Sequence, residues 1–359
     1  MNIGIPKERR PFEYRVGLSP AGVHMLSEQG HLCFVEHGAG LGAGFSDQDY
    51  ENAGGRIAYS PHEIFGRADL LLKVARPLRE ELEWLRPRSA IAGLLHLGSA
   101  RQDKIDIMLE NNLTAIAYEQ IQLPDGNVPI RRPLSQIGGR LAAQIAARLL
   151  QNNAGGKGIL LEGVAGVPPA EVVVIGAGVV GSCAARAFLG MGAHVTVLDT
   201  DLEALEKIFD WRLGVVTMTS TPLNVTRACA YADVVVGAVL VTGEPPPIVV
   251  SREMVRAMKS RSILMDISID EGGCAETSRP TTHEHPTFIE EGVIHYCVPN
   301  IPSVVARTST YAFLNAAFPF ILEMANKGVE RAISDNPAIE KGTAVHQGVL
   351  RNISRLKPK

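Results

Sequence analysis

The stretch Glu171–Asp199, EVVVIGAGVVGSCAARAFLGMGAHVTVLD, decides how the rest of the chain is read. It opens with an apolar run, Val172 to Ile175, of the kind that forms a strand buried on both faces of a parallel sheet. A glycine turn follows at once. Gly176 permits the sharp exit from the strand, Gly178 lets main chain approach a pyrophosphate, and Gly181 lets the next helix lie close to the sheet. The N–H groups and dipole at that helix start favour an anion. The helix is expected from about Val180 to Gly190, Gly192 breaks it, and HVTVLD reads as a second strand ending in Asp199. A carboxylate there accepts hydrogen bonds from ribose hydroxyls and repels a 2′-phosphate, which points to NAD rather than NADP.

Working outward, the chain of 359 residues is long enough for two or three domains. Hydrophobic residues at 46% and charged residues at 20% describe an ordinary globular protein. A net charge of -3 offers no basic surface for nucleic acid. No secretory signal and no apolar run of membrane-spanning length is visible, so a cytoplasmic protein with no membrane partner is expected. The five cysteines have no metal-like spacing, and no metal is expected.

Before the central stretch, the pattern is again strand, loop and helix. Asn2 to Ile5 reads as a strand, and Ser19 as an N-cap with Pro20 at the first helical position. Arg15 lies in the loop between them, where α/β proteins bind ligands. ADLLLKVARP reads as a strand that sets Lys73 and Ala75 on one face by period two. SAIAGLLHLG is a strand ending near His96, and TAIAYE is another with Glu119 at its end. SQIGGRLAAQIAARLLQN is a long amphipathic helix leading into the nucleotide-binding half. After Asp199 the doubly wound pattern continues to SILMDISID. EGGCAETSRPTTHEHPTF then reads as a long polar loop with Asp270 at its mouth. A strand, a helix from about Thr308 to Lys327, and a polar, basic tail ending RLKPK close the chain.

IGIPKE, RVGLSPAGV, DLLLKV, LLHL, AIAYE, SQIGGRLAAQ, GVPPAEVVVIGAGVVG, GAVLVTG, DISIDEGGCAETSRPTTHEHPTF and YCVPNIPSVVARTST together closely resemble the alanine dehydrogenase family, over nearly the whole chain. They also resemble, less closely, the related NAD-binding subunit of proton-translocating transhydrogenase. The resemblance implies an α/β fold of two domains: an inserted doubly wound Rossmann domain for NAD, residues 133–302, and a substrate domain built from residues 1–132 and 303–359. It implies a small amino or 2-oxo acid substrate and a homohexamer. The family's substrate-carboxylate arginine falls on Arg15, its catalytic histidine on His96 and its catalytic aspartate on Asp270. Its cofactor contacts fall on Ser135, Val180, Asp199, Ser220, Val239, Leu240, Ile267, Asp270, Arg279, Val298, Asn300 and Ile301, beside Gly176, Gly178 and Gly181.

One departure stands out. Where the family reads LLKVKEP, with a second lysine on the substrate, this chain reads LLKVARP and has Ala75. Losing a charge-assisted bond costs about 1.5 to 3 kcal/mol if nothing compensates. Lys73, on the same strand face and expected at the substrate, and Arg76, which follows directly, compensate at most in part, since neither starts from the right Cα. Glu271, Pro299, Ser303 and Leu94 also depart from the family pattern at the substrate end. The expected activity is therefore reversible deamination of L-alanine to pyruvate and ammonia. The alternatives are a diverged imine or oxo acid reductase, a weakly catalytic NAD(H)-binding protein, and a transhydrogenase subunit.

Overall fold

The computed structural model describes residues 1–241 and 244–353, so the RLKPK ending lies outside the described residues. The chain divides into two compact units, Met1–Leu134 with Ser303–Lys359, and Ser135–Pro302.

The strands in chain order are β1 (Asn2–Ile5), β2 (Leu32–Glu36), β3 (Arg56–Ala58), β4 (Leu70–Ala75), β5 (Ala90–Leu94) and β6 (Thr114–Ala117). The middle of the chain supplies β7 (Glu171–Ile175), β8 (His194–Asp199), β9 (Val216–Thr219), β10 (Val234–Gly237), β11 (Ile263–Asp266), β12 (Thr287–Glu290) and β13 (Val293–Tyr296). The last two are β14 (Thr343–His346) and β15 (Val349–Leu350).

In the first unit the sheet order is β15-β14-β6-β5-β4-β1-β2-β3. From β3 to β6 every pairing is parallel, and β14 and β15 add antiparallel at one edge. The helix Pro20–Ser27 begins as expected, with Ser19 Oγ accepting from the Gly22 N–H and Pro20 in the first turn. The C-terminal helix starts at Ala306, slightly before the expected Thr308, and runs through Pro319 to Lys327. Its Phe313, Ala317, Ile321 and Met324 are buried in the cluster that includes Ile3, Val35 and Leu72.

In the second unit the order is β12-β13-β11-β10-β7-β8-β9. β7, β10 and β11 sit at the centre, so both their faces are covered, which is why VVVI, VVVG and ILMD are apolar runs rather than alternations. Edge strand β9 is not covered in this way, and Val216 is exposed.

Two corrections concern strands. The end of the expected polar loop, Thr287 and Phe288, belongs to β12, antiparallel to β13. Part of the expected polar tail forms β14 and β15. Each pair is closed by two residues with positive φ, Glu291 (50°) with Gly292 (76°), and Gln347 (48°) with Gly348 (74°). That is the backbone of a tight hairpin whose twist matches its strands. A third correction concerns β4. Leu72 pairs with Ala92 but Ala75 pairs with Leu94, so β4 carries one extra residue and simple alternation from Lys73 to Ala75 fails.

Candidate functional site

The second unit gathers most of the expected cofactor residues at one end of its sheet. Gly176 follows β7, Asp199 ends β8, Ser220 follows β9, Val239 and Leu240 follow β10, Ile267 and Asp270 follow β11, and Val298, Asn300 and Ile301 follow β13. These are the C-terminal ends of parallel strands. The chain reverses its direction of growth between β7 and β10, which makes the switch-point crevice where α/β sheets hold ligands.

Hydrogen bonds tie this rim together. The Gly176 N–H donates to the Leu198 carbonyl at 2.7 Å, and the Ala238 N–H to the Ile175 carbonyl at 2.8 Å. The Asp199 carboxylate accepts from the Ala177 N–H within the glycine turn and from the Asp201 N–H. Ser268 Oγ donates to the Val239 carbonyl at 2.8 Å.

The glycine turn has the shape an NAD pyrophosphate needs. Gly176 has φ of 107°, and a Cβ on Gly181 would stand 1.7 Å from the Gly176 carbonyl oxygen. Both glycines are demanded by the protein itself. Gly178 is different: its φ is -64°, ordinary for any residue, and a Cβ there would meet nothing within 4 Å. The space before it is open. The following helix, Val179–Gly190, has no side-chain cap, whereas Asp201, Thr221 and Ser251 cap the next three helices of this unit. Its first-turn N–H groups are thus left for an anion. These residues fit the cofactor.

Not every expected contact joins this group. The Arg279 guanidinium lies 3.9 Å over the Phe288 ring on edge strand β12, four places along the sheet from β7. Val298 and Ile301 are buried, with side chains turned away from solvent. Ser135 lies on the helix Arg131–Leu149, against whose Gly139 the Val180 carbonyl packs closely. Asp270 is exposed, and the Asn300 N–H donates to its carboxylate. Cys274 is fully buried against Asp266, and burial, then the Asp266 charge, push its thiol far up, so it is a packed side chain.

In the first unit Ala75 ends β4 and His96 follows β5, while Lys73 lies within β4 and Arg15 in the long loop between β1 and the helix Pro20–Ser27. The loop after β1 is pressed onto β4, because a Cβ on Gly17 would stand 2.1 Å from the Leu72 carbonyl oxygen. Arg15 is 3% exposed and is gripped by Glu13, with Nε donating to Oε1 at 2.7 Å and Nη2 to Oε2 at 2.5 Å. Lys73, expected on the substrate, is 1% exposed and points inward. Its ammonium is 2.8 Å from Glu81 and 3.1 Å from Glu8. Glu8 also accepts from the Val74 and Ala75 N–H groups through Oε1, which satisfies the main chain of the β4 bulge.

His96 has φ of 44°, in the left-handed region. The Glu119 carboxylate holds that conformation by accepting from the N–H groups of His96 at 2.6 Å and Leu95 at 3.1 Å. Glu119 and Glu13 are the positioning residues that the sequence reading did not assign. The signal for Glu119 was its place at a neighbouring strand end.

Among the described residues no cluster of metal-binding side chains is present, and no helix is long and apolar enough to cross a membrane. Two family models match the chain, the alanine dehydrogenase/PNT N-terminal domain over residues 4–138 and its C-terminal domain over residues 142–352. An alanine dehydrogenase from Halomonas elongata is 45% identical over 98% of this chain and 94% of its own length. A solved L-alanine dehydrogenase superposes with a TM-score of 0.94 at 40% identity, covering 98% of this chain and 96% of its own. A transhydrogenase from Sinorhizobium meliloti does so with 0.83 at 25% identity, covering 98% of each chain. The chain therefore belongs to the alanine dehydrogenase/PNT family and is an NAD-dependent oxidoreductase of the alanine dehydrogenase type.

Proposed function

We propose that the chain interconverts L-alanine with pyruvate and ammonia. The observation that carries this reading is the full-length likeness to proteins named alanine dehydrogenase. NAD, when bound, takes up or returns the hydride of the substrate carbon. In this reading Arg15 fixes the substrate carboxylate, its guanidinium held in one orientation by Glu13 so that little ordering remains to be done. His96 exchanges a proton with the oxygen on the reacting carbon, an imidazole ring nitrogen being able both to donate and to accept one. Its backbone is locked by Glu119. Asp270 pairs with the substrate nitrogen and moves its protons. Arg279, Val298 and Ile301 remain cofactor contacts by resemblance alone. The resemblance likewise supports a cytoplasmic homohexamer.

A second reading keeps the same chemistry on a larger 2-oxo or imino acid, and Ala75 favours it. Glu13 neutralises much of the Arg15 charge, and the Lys73 ammonium is committed to Glu8 and Glu81. Neither of these two cations then offsets the one missing at Ala75, whose loss is about 1.5 to 3 kcal/mol of carboxylate binding. The deciding experiment is NADH oxidation with pyruvate and ammonium by the wild type and Ala75→Lys, beside a panel of larger 2-oxo acids. Efficient wild-type turnover of pyruvate supports the first reading. Poor turnover, rescued by Ala75→Lys, supports the second. Inertness of both with every acid, while NADH still binds, overturns the two together.

A further inference from the structure

The first unit contains a small cleft, about 200 Å³ in volume, whose lining includes Arg10, Arg76, Arg101 and Lys104 beside Leu97 and Ser99. None of Arg15, Lys73 and His96 lines it. Four cationic side chains around one cleft repel each other unless carboxylates or a ligand offset them. Arg101 is offset, lying 3.2 Å from Asp103. Among the described residues no carboxylate forms an ion pair with Arg10, Arg76 or Lys104. Those three are held instead by neutral acceptors, which fix their positions without cancelling their charge. Arg10 Nε donates to the Arg76 carbonyl at 2.9 Å, Arg76 Nη1 to Ser99 Oγ at 3.2 Å, and Lys104 Nζ to the Pro77 carbonyl at 2.8 Å.

Burial and the neighbouring cations act on these groups together. Burial, then Arg76, holds Arg10 below the ordinary guanidinium value, while Glu8, Glu81 and Glu13 oppose the shift by less. Burial, then Arg10 and Arg76, lowers the Lys104 ammonium, with Asp103 and Glu81 opposing by less. Three half-buried, prearranged donors of one sign describe a receptor for negative charge. The cleft is smaller than the roughly 300 Å³ at which pockets for drug-sized ligands begin, so the charge must sit on a compact group.

We propose that this cleft binds a small oxyanion, a phosphate or carboxylate group, between Arg10, Arg76 and Lys104. Such an anion lies close to the strap that carries His96, because Ser99 Oγ, which accepts from Arg76, donates to the His96 carbonyl at 3.1 Å. The proposal stands apart from the identity of the amino acid processed.

The test is calorimetric titration of inorganic phosphate into the full chain in a low-ionic-strength chloride buffer, for the wild type, Arg76→Glu and Lys104→Met. NADH titration of each variant verifies that it is folded. Saturable binding to the wild type, weakened about tenfold or more in each variant, is expected. Lys104→Met is also expected to melt no lower than the wild type without phosphate, since it removes one of three like charges, and to gain less when phosphate is added. Acetate competition then separates the sources: displacement of phosphate extends the site to carboxylates, and its absence confines the site to phosphate. Absence of saturable phosphate binding to the wild type, or equal binding by all three proteins, overturns the proposal.

Discussion

The main-chain N–H of Asn300 donates to both carboxylate oxygens of Asp270, at 3.1 and 3.3 Å. Asn300 is itself held at φ of 56°, so the loop after β13 is shaped to deliver that donor. An asparagine in place of Asp270 keeps an oxygen for the same bond but loses the charge and the proton-transfer capacity. Asp270→Asn is therefore expected to fold and bind NADH as the wild type does, with kcat lower by about 10²- to 10⁴-fold. Unchanged kcat in steady-state assays would remove Asp270 from the chemistry.

The glycines of the central turn separate into two kinds. Gly181→Ala pushes a methyl group into the Gly176 carbonyl, and a loss of about 1 to 3 kcal/mol of stability is expected. Gly178→Ala meets open space at an ordinary φ, so its stability should stay within roughly 1 kcal/mol of wild type. Its NADH affinity should fall about tenfold or more, because the methyl group occupies the approach to the pyrophosphate. Thermal melts beside NADH fluorescence titrations check both. Wild-type affinity in Gly178→Ala would be inconsistent with this placement of the cofactor.

Lys73 sits between two buried carboxylates, and Lys73→Met removes the cation they share, leaving Glu81 only Arg9 at 3.5 Å. A loss of about 3 to 5 kcal/mol is expected at neutral pH. Burial, opposed by Lys73, already raises the Glu8 carboxyl above its ordinary value. A raised acid favours folding below its unfolded value, about 4.3, and that contribution is lost as pH rises through the folded value. The variant should therefore recover stability relative to wild type as pH falls from neutrality towards 5. Urea midpoints at several pH values measure it; a constant difference would mean the carboxylates are not the cause.

His295 is fully buried on β13, hydrogen-bonded to Thr277 Oγ1 at 2.7 Å and the Val293 carbonyl at 3.0 Å. Burial lowers its folded pKa, against a weaker opposing pull from the Val293 carbonyl. The unfolded chain then takes up the proton first. Stability is complete above the unfolded value, about 6.5, and declines as pH falls towards the folded one. His295→Gln should be less stable at pH 8 but show a shallower decline between pH 6.5 and 5. Parallel pH profiles in urea unfolding would exclude His295 as the source.

Much of the fold was legible because local rules and tertiary context agree. The apolar runs of β7, β10 and β11, the glycine turn and the Ser19-Pro20 cap each have a local cause that burial reinforces. The hairpins β12–β13 and β14–β15 were not legible. Their turns place Glu291 and Gln347, rather than asparagine or aspartate, at positive φ, and only pairing across the sheet holds them there.

The candidate site divides in the same way. Sequence alone determined that Asp199 ends a strand and that Arg15, His96 and Asp270 lie in the segments that follow strands, because loops at the carboxyl ends of parallel strands follow from the order of the elements. Tertiary structure decided what those side chains do with their charge. The β4 bulge, one residue beyond simple alternation, accompanies an inward-facing Lys73 held by Glu8 and Glu81. Glu119, 23 residues from His96, fixes the His96 backbone. Such pairings are long-range and directional, set by where strands finally lie, and no local pattern of apolar and polar residues encodes them.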